Sequence, residues 1–193
     1  MNKEQHHFDI IIAGGGLSGT LSALSLSKLT KPNGEPLTIA IVEAIVTDEA
    51  STNQNLSPES VQKQTVSSSA FDARVLALSH GSMQYLKSLS LWPELEHLAA
   101  PIKNIHISDR GNYGKARMLA DAHEVSALGY VIEMSLLSNA LVTELKKHDN
   151  ISWFCPDNIN AIDWQQESVS VDLASEKRLT AELLLACDGA QSI

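Results

Sequence analysis

A glycine cluster closes a short apolar run near the start of this sequence: Phe8-Asp9-Ile10-Ile11-Ile12-Ala13 runs straight into Gly14-Gly15-Gly16-Leu17-Ser18-Gly19. The β-branched run reads as a buried strand. Apolar residues then recur at helical spacing through Leu17, Leu21, Leu24 and Leu29, with Ala23 and Leu26 beside them, which predicts a helix from about Ser18 to Thr30. Lys31-Pro32-Asn33-Gly34 stops it, because proline cannot continue a helix and Asn-Gly favours a turn. Leu37 to Val42 is a second buried strand with Glu43 at its carboxyl end. A strand, a helix and a strand in so short a span imply parallel neighbours joined by a right-handed crossover. The fold class expected is therefore α/β, with a Rossmann-like parallel sheet.

The spacing of Gly14, Gly16 and Gly19 is G-x-G-x-x-G, a weak signal alone. Here it follows a strand, opens a helix and is answered by an acidic residue at the end of the next strand, as dinucleotide binding requires. Gly14 permits the tight turn, Gly16 lets backbone N–H groups approach a pyrophosphate, and Gly19 lets helix and strand pack closely. Gly15, Leu17 and Ser18 complete the cradle at the positive end of the helix. Glu43 is placed to accept hydrogen bonds from the adenosine ribose hydroxyls, and its charge disfavours a 2′-phosphate, so NADP is not expected in this site. FAD and NAD both remain open on these residues, and with NAD an NAD-linked dehydrogenase or reductase.

Composition excludes other classes. A formal net charge of −9 argues against a surface built for nucleic acid. Cys155 and Cys187 stand without a CxxC or a histidine cluster, so both are expected as small buried apolar residues. His6-His7 reads as a solvated terminus, with no third ligand at fixed spacing. No apolar run reaches membrane-spanning length, nor does the start look like a signal peptide, so a cytoplasmic setting is the default. Residues 47–69 are rich in Ser, Thr, Asn and Gln and read as a mobile loop.

Further along, Ser79 to Leu91 patterns as a helix ending at Trp92-Pro93. Ile102 to Ser108 and the segment around Ala116 to Leu119 alternate about the turn Asp109-Arg110-Gly111-Asn112. Tyr130 to Ile132 is a short strand, and Ser135 opens a helix to Lys147 with Leu136, Leu137, Ala140, Leu141 and Leu145 as its core face. Ile151 to Phe154, Ile159 to Trp164, Val169 to Leu173 and Leu183 to Cys187 read as strands. Residues 101–130 form an antiparallel excursion that begins a substrate domain, within a cofactor-binding domain spanning 1–193. His80 and His106 fall where structural or exposed roles are expected, and no nucleophile–base pair or metal-ligand spacing is seen.

Four segments carry a resemblance. Phe71-Asp72-Ala73-Arg74-Val75-Leu76-Ala77-Leu78 resembles the Asp-x-Arg-x-x-Ala-Leu segment of the ubiquinone-biosynthesis hydroxylases, which are flavoprotein monooxygenases of the para-hydroxybenzoate hydroxylase type. Ile105 to Gly111 and Ala127 to Glu133 are similar to stretches of the same family. Ala186-Cys187-Asp188-Gly189-Ala190-Gln191-Ser192 looks like its Ala-Asp-Gly-x-x-Ser signature, with Cys187 where alanine is usual.

The resemblance implies FAD as cofactor and NAD(P)H as reductant. Molecular oxygen and a polyprenyl phenol would be the substrates, with the flavin carrying the redox chemistry. It implies that Arg74 reaches toward the FAD from the start of the second helix, and that the loop of Asp188 lies against the cofactor. Neither is assigned a catalytic role. A polyprenyl substrate further implies peripheral contact with a membrane surface or a biosynthetic complex, though no segment is an obvious anchor. The family's second flavin motif, a Gly-Asp pair, would lie beyond Ile193. The sequence is therefore expected to be the amino-terminal part of a longer enzyme, inactive alone.

Overall fold

A computed structural model describes residues 4–45 and 74–189. The predicted loop at 47–69 lies outside them, as do Phe71, Asp72, Ala73 and the segment from Ala190 to Ile193. The described residues form two compact units, one of residues 4–45 with 141–189 and the other of residues 74–140.

The first unit is built on four parallel strands. In chain order these are β2 (Ile10–Ala13), β3 (Ile39–Val42), β9 (Ile151–Phe154) and β13 (Leu183–Ala186), and they lie side by side as β13-β2-β3-β9. Ala13 pairs with Val42 on one side and Ala186 on the other, so the three strands end level. Every residue of β2 and β3 is buried, as unbroken β-branched runs demand when both faces of a sheet are covered. Helix α1 (Leu17–Leu26) packs against both strands and buries Gly19, Thr20, Ala23 and Leu24. It is shorter than its apolar spacing predicted, and Leu29, beyond its end, is exposed. Thr20, Ser25 and Ser27 bond back to carbonyls of the preceding turn, a competition that weakens helix propagation.

A second sheet packs on this one, in the order β1-β12-β11-β10. It comprises β1 (Gln5–His7), β10 (Ile159–Trp164), β11 (Val169–Leu173) and β12 (Arg178–Ala181). Ile11, Ala13, Ala40 and Val42 from the parallel sheet share one core with Val169, Val171, Leu173, Leu179 and Ala181. His6 and His7 are not a frayed terminus, although His7 is exposed. They form a strand paired in parallel with Leu179 and Thr180, and His7 Nδ1 lies 3.1 Å from the Thr180 hydroxyl.

The second unit holds a three-stranded antiparallel sheet in the order β4-β8-β5, from β4 (Val75–Ser79), β5 (Ala100–Ile102) and β8 (Gly129–Glu133). Helix α2 (His80–Ser88) starts at Ser79, whose hydroxyl accepts from the Ser82 N–H at 3.1 Å, and it buries Met83 and Leu86. The short helix α3 (Trp92–Leu95) begins where the sequence predicted a stop, since proline is tolerated in a first turn. Trp92 meets Tyr130 edge-on with ring centroids 4.7 Å apart. The alternating stretch at Ile102 to Ser108 is divided between β5 and β6 (Asn104–Ser108), and β6 pairs with β7 (Lys115–Leu119) in a hairpin. Helix α4 (Met134–Leu145) follows β8 and buries Leu137, Leu141 and Leu145. Among the described residues no helix is long and apolar enough to cross a membrane.

Candidate functional site

The glycine turn sits where β2, β3 and β13 end together. The Gly14 N–H donates to the Val42 carbonyl at 2.8 Å, and the Cys187 N–H donates to the Ala13 carbonyl at 2.7 Å. Gly14 has φ +98°, and a Cβ there would lie 2.5 Å from the Cys187 carbonyl oxygen and 2.8 Å from the Asp188 Cα. Only glycine satisfies both constraints. A Cβ on Gly19 would lie 1.9 Å from the Gly14 carbonyl oxygen, so the first turn of α1 is seated directly on the glycine turn.

Gly16 is different: a Cβ there would meet nothing within 4 Å. It is the N-cap of α1, no side chain caps the helix, and no acidic residue stands in its first turn. The first N–H groups of an α-helix have no partner within it. Those of Leu17, Ser18 and Gly19 therefore face an open, positively polarised helix end beside a residue without a side chain. That arrangement can cradle a pyrophosphate.

Glu43 stands at the end of β3, half-buried, and its carboxylate reaches back to the turn. Oε2 accepts from the Gly15 N–H at 2.5 Å, and Oε1 accepts from the Ile45 N–H at 2.8 Å. A carboxylate offers about four acceptor sites, so two remain for ribose hydroxyls. The backbone of Glu43 is held as well: its N–H donates to Phe154 and its carbonyl accepts from Asp157, both at 2.9 Å.

The structure thus brings Gly14, Gly15, Gly16, Leu17, Ser18, Gly19, Glu43 and the backbone of Asp188 to one end of the parallel sheet. Arg74 belongs to the other unit, where its carbonyl accepts from the Met134 N–H at 2.9 Å. It precedes strand β4 rather than opening a helix, which corrects the placement inferred from resemblance: Val75 to Ser79 pair residue by residue with β8, and α2 begins only at His80. The side chain of Arg74 is exposed.

Both cysteines are partly rather than fully buried. Burial pushes the Cys187 thiol up, a hydrogen bond with Ser22 of α1 draws it back, and the Asp188 charge raises it again. For Cys155 burial is again the largest influence and raises the thiol, while a hydrogen bond from the Trp153 indole opposes it and the Glu43 charge adds to it. Trp153 and Cys155 were not anticipated at this site. Their approach depends on β9 pairing with β3, a contact between distant residues that local spacing does not encode.

No protein-family model matches the chain. A mitochondrial ubiquinone biosynthesis monooxygenase of Dictyostelium discoideum is 23% identical over all of this chain and 39% of its own length. The 3-demethoxyubiquinol 3-hydroxylase of Escherichia coli is 25% identical over 95% of this chain and 42% of its own length. The chain is thus similar in sequence to ubiquinone-biosynthesis monooxygenases. It spans about two-fifths of the length of the members it matches. Among solved structures, the p-nitrophenol 4-monooxygenase PnpA of Pseudomonas putida superposes with TM-score 0.67 at 20% identity, over 98% of this chain and 42% of its own. The flavin-dependent monooxygenase PieE, solved with FAD and substrate, superposes with TM-score 0.66 at 16% identity, over 97% of this chain and 31% of its own. The mixed α/β fold with parallel and antiparallel sheets is thus one that flavin-dependent monooxygenases share with this chain.

Proposed function

We propose that this chain supplies the FAD-binding portion of a flavin-dependent aromatic monooxygenase that hydroxylates a polyprenyl phenol in ubiquinone biosynthesis. The observation that carries the reading is the open cradle at Gly16, bounded by the α1 terminus and the Glu43 carboxylate, in a chain whose relatives are ubiquinone hydroxylases. The flavin, when bound, supplies the redox chemistry, with NAD(P)H as reductant and molecular oxygen as co-substrate. The chain's own residues bind and orient. The N–H groups of Gly16, Leu17, Ser18 and Gly19 hold the pyrophosphate, Glu43 accepts from the ribose, and Gly14 and Gly15 let the backbone come close. The loop of Asp188, pressed against Gly14, completes the cofactor's surroundings and does not carry the chemistry. Contact with a membrane surface would follow from a polyprenyl substrate.

The NAD-linked alternative uses the same strand-helix-strand unit, and a competition separates the two. The chain is titrated with FAD by flavin fluorescence, with NAD as competitor. Saturable FAD binding that excess NAD does not displace is expected. Displacement of FAD by stoichiometric NAD, or no FAD binding by the folded chain, would overturn the assignment.

A further inference from the structure

Gly15 occupies a variable position of the G-x-G-x-x-G spacing, so the turn itself does not demand glycine there. Its φ is not in the left-handed region either, unlike that of Gly14. What demands it is a side chain from another strand. A Cβ on Gly15 would lie 2.8 Å from Cη2 and 3.0 Å from Cζ2 of Trp153, and 2.9 Å from the Cβ of Glu43. The indole edge and the Glu43 stem together fill the space a side chain would need.

Hydrogen bonds tie this part of the site together. Glu43 accepts from the Gly15 and Ile45 N–H groups. The Ile45 carbonyl accepts from the Cys155 thiol at 3.3 Å. Trp153 packs the edge of its indole against Gly15. A carboxylate held on both oxygens, one of them by the N–H of the residue Trp153 packs against, is kept from swinging away from an incoming group. It must either accept hydroxyl protons or repel an anion.

We propose that Trp153 is the positioning residue of this dinucleotide site, fixing Glu43 and the Gly15 N–H so that the pocket takes a ribose with a free 2′-hydroxyl and rejects a 2′-phosphate. The inference rests on reading the glycine turn as the FAD site. Trp153 acts through Glu43, so its loss changes which adenosine the pocket prefers, and not only how tightly it binds.

The test is a titration of the full chain with FAD, and competition by ADP-ribose and by 2′-phospho-ADP-ribose. It uses the wild type, Trp153→Ala, Trp153→Phe, Gly15→Ala and the double variant Gly15→Ala/Trp153→Val, each checked for folding by circular dichroism. Neighbours in contact are energetically coupled, so changes of about tenfold, about 1.4 kcal/mol, are expected. Trp153→Ala should weaken FAD about tenfold and erode the preference for ADP-ribose over its 2′-phosphate by about the same factor. Trp153→Phe, keeping a ring against Gly15, should stay within about threefold of wild type. Gly15→Ala should lose about tenfold in FAD affinity, and the double variant should recover most of it because valine vacates the space. A general loosening of the fold would weaken both competitors equally. An unchanged preference in both Trp153 variants, or additive losses in the double variant, would overturn the inference while leaving the FAD site standing. A folded wild-type chain that binds no FAD overturns both.

Discussion

The two ends of the β2–β3 pair each place a carboxylate where backbone N–H groups can reach it, and they use it oppositely. At the amino end, Asp9 Oδ2 accepts from the Thr38 N–H at 2.7 Å and the Thr38 hydroxyl at 2.8 Å, with Lys31 Nζ 3.4 Å away. The Asp9 N–H donates to the same hydroxyl at 3.0 Å, so the group is answered entirely by its own chain. At the carboxyl end, about 13 Å along the strands, Glu43 shares its oxygens with two N–H groups and faces an open helix terminus. One carboxylate finishes the fold. The other stands at its edge with acceptor capacity to spare. The lesson is that a charged side chain at a strand end becomes a binding group when neighbouring residues leave space rather than partners.

Filling that space should break the comparison outright, and Gly19→Ala is the most severe way to do it. The new Cβ would overlap the Gly14 carbonyl oxygen, a backbone atom that cannot rotate aside. Overpacking of this kind costs about 3 kcal/mol. Thermal unfolding should show that loss, and flavin fluorescence should show no saturable FAD binding. A variant that melts like wild type and binds FAD would mean that α1 does not sit on the turn as described.

Glu43→Ala comes next. It removes the acceptor for the Gly15 and Ile45 N–H groups together with the ribose partner. Hydrogen bonds to a charged group are worth about 2 kcal/mol, so FAD should bind about thirtyfold more weakly. Gly16→Ala should separate binding from folding more cleanly. Nothing lies within 4 Å of the new methyl, so the melting temperature should hold while FAD affinity falls about tenfold, the methyl standing where the pyrophosphate must come. Equal affinity would place the phosphates elsewhere.

Much of this site was legible in the sequence because its determinants are local. Buried runs at Ile10 to Ala13 and Ile39 to Val42, glycines between them and an acidic residue at the second strand's end define a dinucleotide cradle without any long-range contact. The rest depends on partners the local pattern cannot name. Gln5–His7 is polar and becomes a strand only because Arg178–Ala181 pairs with it. Arg178–Ala181 is itself too short for its alternation to register, although Leu179 and Ala181 point into the core. Val75 to Ser79 was read only as a motif, and its register with β8 is what moves Arg74 off a helix. Gly15 belongs to the cradle by its place in the glycine turn, but the indole of Trp153 that lies against it comes from a distant strand that local spacing does not name.

The smallest effect should come from the closed end, and it should leave binding untouched. Burial pushes the Asp9 carboxyl up, but the Thr38 N–H and hydroxyl and the Lys31 ammonium outweigh it and hold the group below its ordinary value of 3.8. A carboxyl whose pKa is lower folded than unfolded stabilises the fold fully above the unfolded value. That contribution drains away as pH falls through the folded one. Stability of the wild type should therefore be flat in this respect near neutrality and decline below about pH 4, whereas Asp9→Asn should lack this part of the decline. At neutral pH Asp9→Asn should cost about 1 kcal/mol, since the amide can still accept from Thr38 but without charge assistance. Its FAD affinity should match wild type within about twofold, because the contacts it weakens lie at the far end of the strands. If Asp9→Asn instead weakened FAD as strongly as Glu43→Ala, the two ends would be coupled through β2 and β3, and the division between a carboxylate that folds and a carboxylate that binds would fail.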